Sequence, residues 1–200
     1  MNREANGTSY LIFFYSYPTM LVSPLLGRGR GRPQTTNMEP IFTYPTLDKA
    51  TRYEQFIHDF LPYIADEHEE VSVLANTTAA LRQAFGWFWI GFYLVRGEQL
   101  ILGPFQGDVA CYRIRHGRGV CGTAWAEATT QVVPDVEQFP GHIACSGSSR
   151  SEIVVPLIFN GTVRAVLDID SDTLATFDDT DRHYLEILCN HLSHVLYSEV

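Results

Sequence analysis

The spacing of hydrophobic positions changes from helical to alternating and back along this chain. From Leu47 onward, Leu47, Tyr53, Phe56, Ile57, Phe60, Leu61 and Ile64 recur at helical spacing and predict a first amphipathic helix. A second is predicted from about Val71 to Phe85, with Val73, Leu74, Thr77 and Leu81 on one side. The period then falls to two. "WFWIGFYLV" and "LILGPF" flank Arg96-Gly97-Glu98 and read as a hairpin. "RGVCGTAWAEA" predicts a short helix, "TQVVPDV" a short strand, and "SEIVVPLIFNGTVRAVLDID" a second hairpin turning at Asn160-Gly161. A last helix carries the stripe Leu185, Leu188, Cys189, Leu192, Val195 and Leu196, with Asp178 placed to cap it and Asp181 three residues on. This order predicts an α+β domain, an antiparallel sheet with helices packed on one face.

Strand parity then locates a site. Ile153, Val155, Leu157 and Phe159, and on the return strand Val163, Ala165, Leu167 and Ile169, are wholly apolar sets that belong together against the helices. A plain two-residue Asn-Gly loop pairs Phe159 with Thr162 and puts these sets on opposite faces. A three-residue loop, or a bulge, with Gly161 at positive φ, is therefore expected. In that register Glu152, Asp168 and Asp170 project together from the second face, where they repel one another unless they serve a cation or hold a proton. In the first hairpin Phe88, Ile90, Phe92 and Leu94 form one face, and Trp87, Trp89, Gly91 and Tyr93 the other. Gly91 leaves a gap between Trp89 and Tyr93. It suits either a small ligand held between aromatic walls or a second core layer with a close backbone contact.

Composition narrows the classes. The chain has 200 residues, 46% hydrophobic and 18% charged, as expected of an ordinary globular protein. Its net charge is −9, unevenly shared. Residues 1–37 hold four arginines against one glutamate, which leaves ten basic and twenty-two acidic residues in the remainder. So acidic a body argues against nucleic acid as a partner. Residues 1–37 read as a disordered or dispensable extension ahead of a folded domain at 38–200. "YLIFFYSYPTMLVSPLL" is broken by Ser16, Pro18, Ser23 and Pro24, so no membrane span is expected, and "GRGRGRP" reads as a linker.

The four cysteines sort by surroundings. Cys189 lies in an apolar stripe and reads as structural. Cys121 sits near a helix start, a position that favours thiolates, though so short a helix gives only a modest effect. Cys111 and Cys145 lie in loops, Cys145 in the Gly/Ser run "PGHIACSGSSRSE" where no packing pattern accounts for it. Zinc is the competing account, since Cys111, His116, Cys121, His142 and Cys145 offer suitable ligand types. No tight C-x-x-C pair supports it, and no metal is expected.

"FWIGFYLV", "LGPFQGDVACYRIRHGRGVCGTAWAE", "HIACSGSSRSEIVVPL" and "AVLDIDSD" resemble the free methionine-(R)-sulfoxide reductases, stand-alone GAF domains, over about residues 45–197. A generic GAF domain shares the hairpin and the "LDIDS" strand, but not three cysteines in these contexts. The resemblance implies Cys145 as the sulfoxide-attacking thiol, Cys111 as its resolving partner and Cys121 as a third cysteine able to join disulfide exchange. It also implies a pocket built from Trp89, Tyr93, Glu152, Asp168 and Asp170, closed by loops on the sheet face opposite the helices. Sulfoxide chemistry then assigns tasks. Cys145 becomes a sulfenic acid as methionine departs, and a second thiol condenses with it. Glu152 or Asp170, kept protonated by its neighbours, suits the proton donor. The other carboxylates suit the substrate ammonium, and loop amides around Ser146–Ser149 its carboxylate. Trp89 would face the S-methyl end. No bound cofactor is expected. Thioredoxin with NADPH is the expected external reductant, which implies a reducing, cytoplasmic setting where the Asn-x-Thr triplets at Asn76 and Asn160 carry no glycan. A homodimer is compatible with this reading. The rivals are a GAF module that binds a small ligand for an output domain, for which little room follows the last helix, and a redox sensor using the same thiols.

Overall fold

Asp48 starts the first helix by accepting a hydrogen bond from the Thr51 amide, and α1 runs Lys49–Ile64. After a short turn α2 spans Glu70–Phe85 and ends on Gly86 in the left-handed region. There follow β1 (Trp89–Arg96), β2 (Gln99–Gln106), β3 (Arg113–Arg115), α3 (Gly119–Glu127), β4 (Gln131–Val133), a 3-10 turn (Val136–Gln138), β5 (Ser151–Phe159), β6 (Thr162–Ser171) and α4 (Asp179–Tyr197). The computed structural model describes residues 40–143 and 147–198. The expected extension, residues 1–37, and the Cys145 thiol lie outside the described residues. The predicted cap is present: Asp178 accepts from the Asp181 amide, and the Asp181 carboxylate accepts from the Asp178 amide. No helix among the described residues is long and apolar enough to cross a membrane.

The strands form one antiparallel sheet in the order β3-β2-β1-β6-β5-β4, so the two hairpins meet along β1 and β6 at its centre. One face buries Ile90, Phe92, Ile153, Val155, Leu157, Leu167 and Ile169 against Phe56, Phe60, Leu74, Leu81, Leu185 and Leu188 of α1, α2 and α4. Each such side chain contributes roughly 1.5–3 kcal/mol. Cys189, 1% exposed, belongs to this layer as its stripe predicted. The helices do not all lie on that face. The short α3 lies over the other one, where Val120, Cys121 and Ala124 join Trp89, Tyr93, Val154 and Val166 in a second cluster.

The β5–β6 turn corrects one expectation and satisfies its alternative. The loop has two residues, with Asn160 at φ 50° and Gly161 at φ 72°, and Phe159 pairs directly with Thr162. The register shifts between Leu157 and Ile158: Ile158 pairs with Val163, while Leu157 pairs with Ala165. Arg164 is the extra residue, a bulge that reverses the parity behind it. Asn-Gly chemistry thus sets the turn, and the bulge restores the faces that burial demands. Val163, expected under the helices, lies before the bulge and packs in the second cluster instead. A similar switch precedes β1. Trp87 packs against the helix-side core and Phe88 against the other cluster, the reverse of strict alternation, because the strand begins only at Trp89.

Candidate active site

Beyond the bulge, Glu152 faces Asp170 directly, and Asp170 in turn faces Trp89 on β1. The next row on the same side of the sheet is Val154, Asp168 and Gly91, and the third is Pro156, Val166 and Tyr93. The hairpins therefore place two carboxylates in one row and a third beside them in the next, as parity predicted. Glu152 and Asp168 are each 6% exposed. Burial is the main cause that pushes both carboxyls well above the usual carboxylate range, and neighbouring acids add to it. Asp170 is pushed up to about 6 by burial, against the Ser149 hydroxyl beside it. Asp168 Oδ1 is buried without a hydrogen-bond partner.

Cys121 reaches this cluster from the first turn of α3. Its Sγ donates to Glu152 Oε1 over 3.9 Å, and its thiol is 3% exposed. Desolvation first, then Asp168 and Glu152, push the thiol well above its usual range. The helix-start advantage expected for a thiolate is outweighed, and Cys121 is a neutral thiol. Its sulfur and one oxygen each from Glu152 and Asp168 lie within 4.8 Å of one another, a set that can hold a metal ion. Neither His116 nor His142 belongs to that set. The His116 ring stands edge-on to Trp125, 4.5 Å between centroids.

The aromatic wall does more than line the pocket. Trp89 Nε1 donates to the Asp108 carbonyl at 2.9 Å, and Tyr93 Oη to the Cys111 carbonyl at 3.1 Å. The Leu102 amide donates to the Tyr112 carbonyl at 3.1 Å. The loop carrying Cys111 is thus tied to the sheet at three carbonyls in five residues. Cys111 is disulfide-bonded, whereas Cys121 and Cys189 are free thiols. The gap at Gly91 is no ligand slot. The Trp89 indole lies across it, stacked on Phe105 at 5.5 Å, and a Cβ on residue 91 would overlap the ring.

Trp89, Tyr93, Cys121, Glu152, Asp168 and Asp170 all line one cavity of about 520 Å³, counting its open mouth. Cys111 follows directly on lining residue Ala110, and residues 144–146 are flanked by His142, Ile143 and Ser149, which also line it. Sequence reasoning missed Arg118, a cation on the wall at the N-cap of α3. It opens the predicted helix stretch "RGVCGTAWAEA", where nothing local tells a wall residue from a solvated one.

A curled antiparallel sheet with a pocket over its central seam is the frame of a GAF domain, and the GAF domain family model matches residues 67–196. Within that fold the chain belongs to the free methionine-R-sulfoxide reductase family. It is 44% identical over 151 residues to the free methionine-R-sulfoxide reductase of Escherichia coli (strain K12), covering 75% of this chain and 92% of that protein. Against the Saccharomyces cerevisiae (strain ATCC 204508 / S288c) protein of the same name the identity is 53% over 151 residues, covering 71% and 84%. The solved structure of the Neisseria meningitidis free methionine-R-sulfoxide reductase, in complex with its substrate, superposes with a TM-score of 0.74. Its identity is 52%, and the match covers 76% of this chain and 92% of that one.

Proposed function

We propose that this protein reduces free methionine-(R)-sulfoxide to methionine with its own thiols. The observation that carries the reading is the trio of buried Glu152 and Asp168 and half-buried Asp170, in a pocket that also presents Arg118. A free amino acid brings an ammonium and a carboxylate, and this pocket offers the opposite charge for each. The unpartnered Asp168 Oδ1 suits the ammonium, a group that a methionine inside a peptide lacks. The relatives whose names carry the same activity support the assignment.

Cys145 is the attacking thiol. Its sulfur bonds to the sulfoxide sulfur and the sulfoxide oxygen takes a proton. The hydroxyl then passes from the methionine sulfur to the cysteine sulfur as the sulfur–sulfur bond breaks, so that methionine leaves and Cys145 remains as a sulfenic acid. Burial and the neighbouring acids push the Glu152 carboxyl well above the usual carboxylate range, and it supplies the proton to that oxygen. Cys111 then condenses with the sulfenic acid, forming a disulfide and releasing water. That Cys111 is the disulfide-bonded cysteine of the described set supports this role. A thioredoxin-type dithiol, recharged by NADPH, returns both thiols. Cys121, neutral and buried beneath the carboxylates, serves as donor to Glu152 and as a reserve for exchange.

The test is consumption of NADPH with free methionine-(R)-sulfoxide, thioredoxin and its reductase. Turnover is expected with the free R epimer, poor turnover with the N-acetylated substrate, and none in Cys145→Ser. Equal rates on free and N-acetylated substrate would overturn the ammonium site, and full activity in Cys145→Ser the nucleophile.

A further inference from the structure

We propose that the exposed edge around β3 is the docking surface for the dithiol protein that reduces the Cys111 disulfide, a partner with an apolar ledge and an acidic rim. The inference rests on the reading above and names the partner of that same site. Tyr112, the residue after the disulfide-bonded cysteine, is 83% exposed, and Val109, two residues before it, is 87% exposed. Large apolar side chains held in water on both sides of a reducible sulfur are explained by something that covers them when it arrives. The backbone beneath them is held, through the Asp108, Cys111 and Tyr112 carbonyls, so they are presented on a fixed platform.

Charge selects the occupant. The chain carries 23 acidic residues against 14 basic, yet residues 109–126 contain Arg113, Arg115 and Arg118 and no acid. Arg113 and Arg115 alternate with buried Ile114 on β3, so both point outward, and all three arginines are exposed. None of them forms an ion pair among the described residues, and Arg113 meets only the neutral Gln99 Oε1, at 3.3 Å. Unpaired cations on this edge, beside the disulfide, steer an acidic partner to it. On arrival a thiolate of the partner attacks one sulfur of the disulfide, forming a mixed disulfide and freeing one cysteine thiolate. The partner's second thiol then attacks the partner sulfur of the mixed disulfide and expels the protein's other cysteine as a thiolate. The partner leaves with an internal disulfide, and two electrons have passed to the protein.

The experiment compares two reductants on the full chain: thioredoxin with its reductase and NADPH, and dithiothreitol, which needs no docking surface. In Tyr112→Ser and in Arg113→Glu/Arg115→Glu the KM for thioredoxin is expected to rise about tenfold, the size of one lost anchor or two reversed charges. Turnover with dithiothreitol should be unchanged, which also shows that the variants fold. The double charge reversal should also abolish the rise of KM with added salt. An unchanged KM for thioredoxin, or an equal loss with both reductants, overturns the surface. A parent protein active with dithiothreitol but not with thioredoxin overturns the partner and leaves the sulfoxide activity standing. Inactivity with both overturns the activity itself.

Discussion

Asp168 is where folding and function pull against each other. Its carboxyl is 6% exposed, raised by burial and by Asp170, and one oxygen finds no donor. Such a group destabilises the empty fold unless it is neutralised or filled. Asp168→Asn keeps the shape, removes the charge and gives Glu152 an N–H donor. Its melting temperature at pH 7 should rise by roughly 2–6 °C, on the scale of one or two kcal/mol for a chain this size. The same variant should raise the KM for free methionine-(R)-sulfoxide at least about tenfold, the loss of one charged contact. An unchanged melting temperature in scanning calorimetry would show that Asp168 is already compensated. Gly91 is constrained from the other side. A methyl there would overlap the Trp89 ring and come 2.7 Å from Phe105 Cβ. Gly91→Ala should destabilise the protein by about 1–3 kcal/mol through overpacking, and denaturant unfolding checks it.

The β5–β6 hairpin carries the site's geometry, and its single bulge decides which side chains see the pocket. Deleting Arg164 removes the extra residue, so either the Asn-Gly turn or the buried faces must yield. Keeping the turn would turn Leu157 and its neighbours away from the helices, at roughly 1.5–3 kcal/mol each. The deletion is expected to abolish folding, read by circular dichroism. Arg164→Ala loses only the cation–π contact to Tyr197, at 5.1 Å, and should cost less than about 1 kcal/mol. This hairpin also shows what the sequence disclosed. Apolar alternation and the Asn-Gly pair were both readable, and together they required an irregularity without saying where it lay. The carboxylate cluster followed because Glu152, Asp168 and Asp170 lie behind the bulge, whichever residue forms it. Val163 and Trp87 were misplaced because alternation was carried past a bulge and past a strand end. The neutral state of Cys121 was hidden as well, since a helix start is local and its burial over Glu152 is not. Arg118 escaped for a related reason: only the fold puts the N-cap of α3 on the wall of a pocket shared with acids more than thirty residues away.

Across the whole molecule the acids respond to pH in two separate windows. Asp178 is lowered to about 2 by Lys49, so its stabilising contribution is lost only as pH falls below the ordinary carboxylate range. Asp170 is raised to about 6, so between about pH 4 and pH 6 the folded chain holds a proton that the unfolded chain has released. Stability therefore falls as pH rises through that window, and Glu152 and Asp168 extend the fall upward. The stability advantage of Asp170→Asn over the parent should widen from pH 4 to pH 6 and level off above it. A constant difference in urea titrations across that range would contradict the raised carboxyl. The ties from Trp89 and Tyr93 to the loop of Cys111 join this pocket to the disulfide in a further sense. One hydrogen bond is worth about 1 kcal/mol, or roughly 20 mV in a two-electron couple. Tyr93→Phe should then raise the midpoint potential of the disulfide by about that much, as measured against glutathione buffers. Reciprocity does the rest. To the extent that these ties favour the disulfide state over the dithiol, a pocket occupant that loosens either one makes the disulfide easier to reduce, and reduction tightens that occupant by the same factor. Oxidant load and amino-acid supply would then be read by one thermodynamic cycle, with two aromatic rings as its hinge.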